Sequence, residues 1–350
     1  MIHDGNRTHL QLRLTLKKSP FVAVSFLAIL AMTSGNPTKV QAETTNKKVV
    51  IGYSTYTVAN PAFAGIILGV KSEAKKYGYK FIMANSNNSP SQQISDVESL
   101  MSEGANYVVI TPYDGTAVAP AVAAAKAHGV PVIALADHIV TPVTATYSMD
   151  HAEGGKLAAA EVVKFLTKKY GTPKGNVVDL EGIAGTVAAA LREKGFADVL
   201  ATYPDIKIVA RADGGFNTDQ ANQVMTTILQ GHSKIDAVYG ANDAETFGAV
   251  AAIKAAGRFA PVGQPGHIFS IGVDGSEPAI VGIRNGSQDA TVSQEFIKMG
   301  SEMVDNIHAK ETGSIPAIPS VVWPLMVINT SNIASPEVKA YGIWADQVNQ

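Results

Sequence analysis

The chain has 350 residues, 46% of them hydrophobic and 17% charged, which excludes a disordered polymer and gives enough length for two domains of ordinary size. A formal charge of −2 offers no basic surface and argues against nucleic acid as a partner. There is no cysteine, which rules out disulfides, thiolate metal sites, a lipid-modified cysteine anchor and cysteine nucleophiles.

At the N-terminus, Arg7, Arg13, Lys17 and Lys18 precede the apolar run from Phe21 to Met32, and Val40-Gln41-Ala42 follows a polar stretch. A positive flank, a short apolar core and a small-residue site describe a secretory signal peptide over residues 1–42, cleaved after Ala42. The apolar run is too short for a stable membrane anchor. Its removal takes five of the 28 basic and one of the 30 acidic residues and leaves a mildly acidic mature chain. Such a chain fits a protein that diffuses freely in the periplasm.

Lys48–Ser54 reads as a first buried strand, and Asn60-Pro61 opens a helix that ends at Gly78. Tyr79–Ala84 is a strand. Ser89-Pro90 starts a helix through Met101 that Gly104 stops. Asn106–Thr111 is a strand, Ala117–His128 a helix and Val130–Leu135 a strand. A short strand at Thr144–Tyr147 leads to a long helix beginning at Asp150, with Glu153 three residues on as in a capping box. The alternation then restarts. Strands are predicted at Gly175–Leu180, Ile206–Ala212, Asp236–Gly240, Ile268–Val273 and Ala290–Val292. Helices are predicted at Thr186–Leu200, Thr218–Gln230, Ala244–Ala256, Pro278–Arg284 and Gln294–Lys310, and Ser320–Ile328 is a last extended segment.

Strands of five to seven residues alternating with helices predict parallel, doubly wound sheets with right-handed crossovers. Two successive runs of similar size predict an α/β protein. It has two doubly wound, Rossmann-like domains joined by a multi-strand hinge, with a ligand cleft between them. The expected boundaries are residues 43–149 plus 295–322 for the N-terminal lobe and 150–294 plus 323–350 for the C-terminal lobe.

In open parallel sheets a ligand sits beyond the carboxyl ends of the strands. Asn60, Asp137, Asn242, Asp274 and Gln294 all fall just past predicted strands, with Phe63, Tyr113 and Phe216 in comparable positions. Carboxylates and side-chain amides accept and donate in pairs, as vicinal hydroxyls require, and an aromatic face suits the C–H face of a sugar ring. Together they point to a neutral, polyhydroxylated ligand. Plainer roles compete at each position. Asn242-Asp243 also suits a helix N-terminus, with Asp243 read as the cap. Asp274 fits a turn in Val-Asp-Gly, Asp137 a solvated loop, Phe63 and Phe216 core packing, and Gln294 an exposed helix start. His138 and His151 read as loop and helix-surface residues, because no HxxxH or HxH spacing occurs. No metal, cofactor or catalytic residue is expected: GxGxxG after a strand, GxxxxGK[ST] and GxSxG are all missing.

Several pieces, in order and spacing, resemble the periplasmic sugar-binding proteins of ABC importers. The match is to the type I fold and the ribose/galactose-type cluster. These pieces are Asn60-Pro61-Ala62-Phe63, Gly129–Leu135, Gly154-Gly155-Lys156, Ile183-Ala184-Gly185-Thr186 with Arg192 and Gly195-Phe196, Ala241-Asn242-Asp243, Gly272-Val273-Asp274-Gly275 and Ala290-Thr291-Val292 with Gln294. The resemblance covers Lys48 to Ile328. It implies that Asn60, Asn242, Asp274 and Gln294 hydrogen-bond sugar hydroxyls and that Phe63 and Phe216 sandwich the ring. Three departures stand out. Ala62 replaces the first of two aromatics. Ala136-Asp137-His138 replaces an Asp-Arg pair. Ala190 stands where the resemblance puts a binding arginine. Two lost guanidinium groups argue against ribose and leave another pentose, a hexose, a polyol or a less sugar-like compound.

The resemblance implies a monomeric, non-catalytic protein that passes its sugar or polyol to the membrane subunits of an ABC permease. A rival reading keeps the fold and presents the ligand to a receptor kinase or chemoreceptor. A transcription regulator of the same fold is disfavoured by the signal peptide and the lack of a helix-turn-helix. A periplasmic sugar isomerase would need a metal or a partnered base.

Overall fold

A computed structural model describes residues 48–341, and the signal-peptide expectation lies outside the described residues. The first alternating run forms β1 (Val50–Thr55), α1 (Pro61–Lys76), β2 (Lys80–Asn85), α2 (Pro90–Ser102), β3 (Tyr107–Thr111), α3 (Ala119–Ala127), β4 (Val132–Ala136) and β5 (Ala145–Met149). The second forms α4 (His151–Tyr170), β6 (Gly175–Glu181), α5 (Val187–Leu200), β7 (Ile206–Asp213), α6 (Thr218–Gly231), β8 (Ala237–Gly240), α7 (Asp243–Ala255), β9 (Phe269–Asp274), α8 (Glu277–Asn285) and β10 (Ala290–Gln294). The chain ends in α9 (Phe296–Glu311), β11 (Val321–Trp323), β12 (Leu325–Asn329) and α10 (Pro336–Tyr341). Polar residues at the strand ends start the helices. Asn60, Ser89, Asp150, Thr186, Asn217 and Asn242 each accept a backbone N–H of the first turn, and Pro61 and Pro90 sit where a proline costs no hydrogen bond.

The strands make two six-stranded sheets, ordered β11-β5-β4-β3-β1-β2 and β12-β10-β9-β8-β6-β7. This is the expected two-domain doubly wound α/β fold. β3, β4, β8 and β9 are buried along their whole length because helices cover both faces, which is why they read as unbroken apolar runs. One core lies between the first sheet and α1 with α9, around Ile51, Tyr53, Ile66 and Met303. Its counterpart in the second sheet surrounds Val177, Phe196, Tyr239 and Ile271.

The chain passes between the sheets after β5, after β10 and between β11 and β12. The last passage corrects the reading of Ser320–Ile328 as one extended segment. Pro324 has no N–H to continue a ladder, so the segment splits. β11 pairs with β5 in parallel, and β12 pairs with β10 antiparallel, the one departure from all-parallel sheets among the described strands. Gln294 is the last residue of buried β10, not the start of a helix.

The glycines of the two helices at the cleft have a packing reason. A Cβ on Gly155 of α4 would lie 2.0 Å from the carbonyl oxygen of Arg192, and one on Gly195 of α5 would lie 2.0 Å from that of Ala152. The two backbones touch, and this contact fixes the height at which α5 presents Arg192.

Candidate ligand-binding cleft

The carboxyl ends of β1, β4 and β5 face those of β9 and β10 across a narrow cleft. Asn60, just past β1, uses Oδ1 to accept the Ala62 N–H at 3.0 Å, while its Nδ2 donates across to Asp274 Oδ2 at 3.4 Å. Asp274 ends β9. Its Oδ1 accepts Gln294 Nε2 at 2.6 Å and lies 3.1 Å from Arg192 Nη2. Arg192 comes from α5, and its Nη1 donates to the Ala241 carbonyl at 2.8 Å. On the opposite wall Asp137, past β4, holds Nε2 of His151, the first residue of α4, at 2.8 Å. Phe63 and Phe216 also face the cleft, from the first and second runs respectively. The Tyr56 ring meets Phe63 edge-on at 5.0 Å between centroids, and the Arg192 guanidinium lies 5.7 Å from the Phe216 ring.

These groups enclose a cavity of about 20 Å³, lined by Tyr56, Asn60, Phe63, Ala136, Asp137, Met149, His151, Ala188, Arg192, Phe216, Asp274 and Phe296. That is room for a single water-sized molecule. A sugar ring enters only if the walls part.

Backbone strain gathers at the same place. Ala136 (φ 69°), Phe216 (φ 50°) and Asp274 (φ 130°) are three of the five non-glycine residues with positive φ among those described. The other two are Asn87 and Asn88, of a residue type that tolerates this conformation. Each strained residue costs on the order of 1–3 kcal/mol, and such strain collects at ligand clamps.

Burial raises the pKa of the Asp274 carboxyl, opposed by the charge of Arg192 and the hydrogen bond from Asn60. Burial alone would lower Arg192, yet Asp274, with Tyr239, Asp137 and Tyr56 behind it, outweighs burial and raises the guanidinium pKa. Burial pushes Asp243 up to about 7, helped by Asp274 and resisted by Thr291 and Ser276. Burial also drives Glu245 well above the carboxylate range.

Five of the eight sequence candidates line the cavity: Asn60, Phe63, Asp137, Phe216 and Asp274. Gln294 stands one step behind, oriented on Asp274. Asn242 is also behind, and its role differs from the expectation. It caps α7 in a capping box with Glu245, while its Nδ2 is buried without a partner. Asp243, expected as the cap, instead accepts the Ser276 N–H at 2.8 Å and the Thr291 hydroxyl at 2.7 Å. Tyr113 sits at the margin: its hydroxyl donates to the Ala184 carbonyl at 3.0 Å, and its ring meets Tyr56 at 5.8 Å.

Two residues were misread from the sequence. His151, taken for a helix-surface histidine, is 5% exposed and lines the cavity. The first residue of a helix that follows a strand end faces the cleft, and that position was the available signal. The guanidinium counted as lost at Ala190 is supplied two residues on by Arg192, which is 4% exposed. Its signal was a charged residue on a stripe that otherwise buries Ala188, Ala189 and Phe196. One of the two guanidinium groups expected to be lost is therefore present in the cleft, while His138 is exposed in the loop past Asp137.

A family model described as a periplasmic binding protein domain matches residues 51–314. The chain belongs to the periplasmic binding protein family. The ribose import binding protein of Bacillus subtilis is 35% identical over 280 residues, covering 78% of this chain and 86% of that protein. A periplasmic solute-binding protein of Actinobacillus succinogenes, solved with D-allose, is 27% identical with a TM-score of 0.71 over 81% of this chain and 98% of the other. The Caulobacter myo-inositol binding protein, solved with myo-inositol, is 26% identical with a TM-score of 0.73 over 83% and 97%.

Two other features of this binding protein lie outside the cleft. A groove of about 540 Å³ runs along α4 beside the loop before β9. Much of its charge is already paired: Lys164 with Glu161, Lys169 with Asp236 and His267 with Asp289. Asp179, Glu181 and Glu193 bring carboxylate oxygens within 4.8 Å of one another. Arg211 already answers them, 3.3 Å from Asp179 and 3.2 Å from Glu193.

Proposed function

We propose that the protein is a periplasmic solute-binding protein. It captures one small neutral sugar or polyol in the cleft and delivers it, unconverted, to the membrane subunits of an ABC importer. The observation that carries this reading is the buried Arg192–Asp274 pair, flanked by Asn60 and Gln294 and set between Phe63 and Phe216. A charge-neutral pair surrounded by side-chain amides answers hydroxyls better than an ionised group, and aromatic rings answer the apolar face of a sugar. Ribose, D-allose and myo-inositol, named for the relatives above, are all neutral and polyhydroxylated.

The near-closed cavity supports a hinged cycle. The lobes, taken as residues 43–149 plus 295–322 and 150–294 plus 323–350, part to admit the ligand and close on it as a monomer. Micromolar capture needs about −8 kcal/mol. Six to ten hydrogen bonds at about 1 kcal/mol net each supply most of it. Stacking adds about 0.5–1.5 kcal/mol per ring.

A calorimetric titration tests this, with neutral pentoses, hexoses and polyols set against sugar phosphates and amino acids. One neutral compound binding at one site with micromolar affinity or better is expected. Binding of charged compounds alone overturns the reading.

A further inference from the structure

We propose that His151, oriented by Asp137, is a specificity-determining contact of the cleft. It is an imidazole acceptor that selects ligands carrying a free hydroxyl against it. The inference rests on the reading of the cleft given above and deepens it.

His151 is 5% exposed and lines the cavity. Its Nε2 lies 2.8 Å from Asp137 Oδ1. A carboxylate oxygen accepts, so Nε2 carries a proton in this contact, and in the neutral imidazole Nδ1 is then the acceptor. Nδ1 is buried and has no hydrogen-bond partner. A buried acceptor without a partner carries a desolvation cost that a ligand relieves only by donating to it. A hydroxyl does so; a deoxy or O-methyl position cannot.

A second buried group has the complementary character. Arg192 Nε, also buried and unpartnered, is a donor. The cavity lining therefore carries both an acceptor and a donor. A hydroxyl both donates and accepts, which makes a polyol the ligand that satisfies both at once. The device is stiff as well as polar. The ring is packed at the first turn of α4, whose cap Asp150 accepts the Glu153 N–H at 2.9 Å. Ala136, next to Asp137, is held at φ 69°.

The test has two arms. In the first, wild-type protein and His151→Phe are titrated with neutral pentoses, hexoses and polyols, ribose, D-allose and myo-inositol among them, then with the mono-deoxy and mono-O-methyl analogues of the tightest binder. Wild type should lose about tenfold or more in affinity at one hydroxyl, while His151→Phe, weaker for the parent, should be indifferent to that same hydroxyl. Equal losses at every hydroxyl in both proteins overturn the inference and leave the sugar-binding reading intact. A wild type that binds no neutral pentose, hexose or polyol contradicts the reading of the cleft itself. In the second arm, two-bond ¹H–¹⁵N correlations of the ligand-free protein report the tautomer. The Nε2–H form of His151 is expected in wild type and its loss in Asp137→Leu, whereas an Nδ1–H form in wild type overturns the inference whatever the titrations give.

Discussion

Replacing Asp274 by alanine separates this account from a plain turn at Val-Asp-Gly. The carboxylate accepts Gln294 at 2.6 Å, faces Arg192 at 3.1 Å and accepts Asn60 at 3.4 Å. Alanine removes all three contacts and leaves a buried guanidinium whose remaining hydrogen bond is the one to Ala241. Breaking a buried ion pair by removing one partner costs about 3–5 kcal/mol. Burial already opposes the charge on Asp274, and its loss returns part of that cost, which favours the lower figure, about 3 kcal/mol. Alanine gains nothing from the backbone, since φ of 130° is as unfavourable for it. At about 2–4 °C per kcal/mol the thermal midpoint, followed by circular dichroism without ligand, should fall by about 6–12 °C. Ligand affinity should fall at least about a hundredfold if two charge-assisted bonds at about 1.5 kcal/mol or more each are lost. An unchanged midpoint together with near wild-type affinity in calorimetry would refute the reasoning.

Three further perturbations follow from the same contacts. Gly155→Ala places a methyl 2.0 Å from the Arg192 carbonyl, so it should cost about 1–3 kcal/mol in urea unfolding and weaken ligand binding by shifting Arg192. Asp243 is held near 7 by burial, so the native state keeps a proton that the unfolded chain releases near 4. Wild-type stability relative to Asp243→Asn should therefore fall as pH rises from about 4 to about 7, and a constant difference across that range would count against the buried carboxyl. His267 is lowered by burial but raised overall by its bond to Asp289, with Nδ1 2.7 Å from the Ala260 carbonyl. Its contribution is complete below its ordinary value of 6.5 and is lost as pH rises through the raised one, so His267→Ala should flatten the wild-type decline that begins above 6.5.

The architecture was legible because buried parallel strands write continuous apolar runs and because Asn60, Ser89, Asp150 and Asn242 announce helix starts. The segment around Pro324 was not. A strand reads alike whichever sheet it joins, and only three-dimensional pairing separates β11 from β12. In the cleft, the strand-end rule found Asn60, Asp137 and Asp274, whose side chains follow their backbones. It missed Arg192, whose long side chain reaches the cleft from within a helix. It missed His151 because a histidine shows its purpose through its partner, and Asp137 lies fourteen residues earlier. Asn242 and Asp243 exchanged subtler roles, since both residue types cap helices and the sequence does not say which side chain turns inward.

The most direct test of the central claim is a crystal structure of the protein grown with its tightest-binding neutral sugar or polyol. The account predicts one molecule between Phe63 and Phe216, touching Asp274, Arg192 and His151. A ligand seated instead in the groove beside Phe165, with the cleft unchanged, would contradict it.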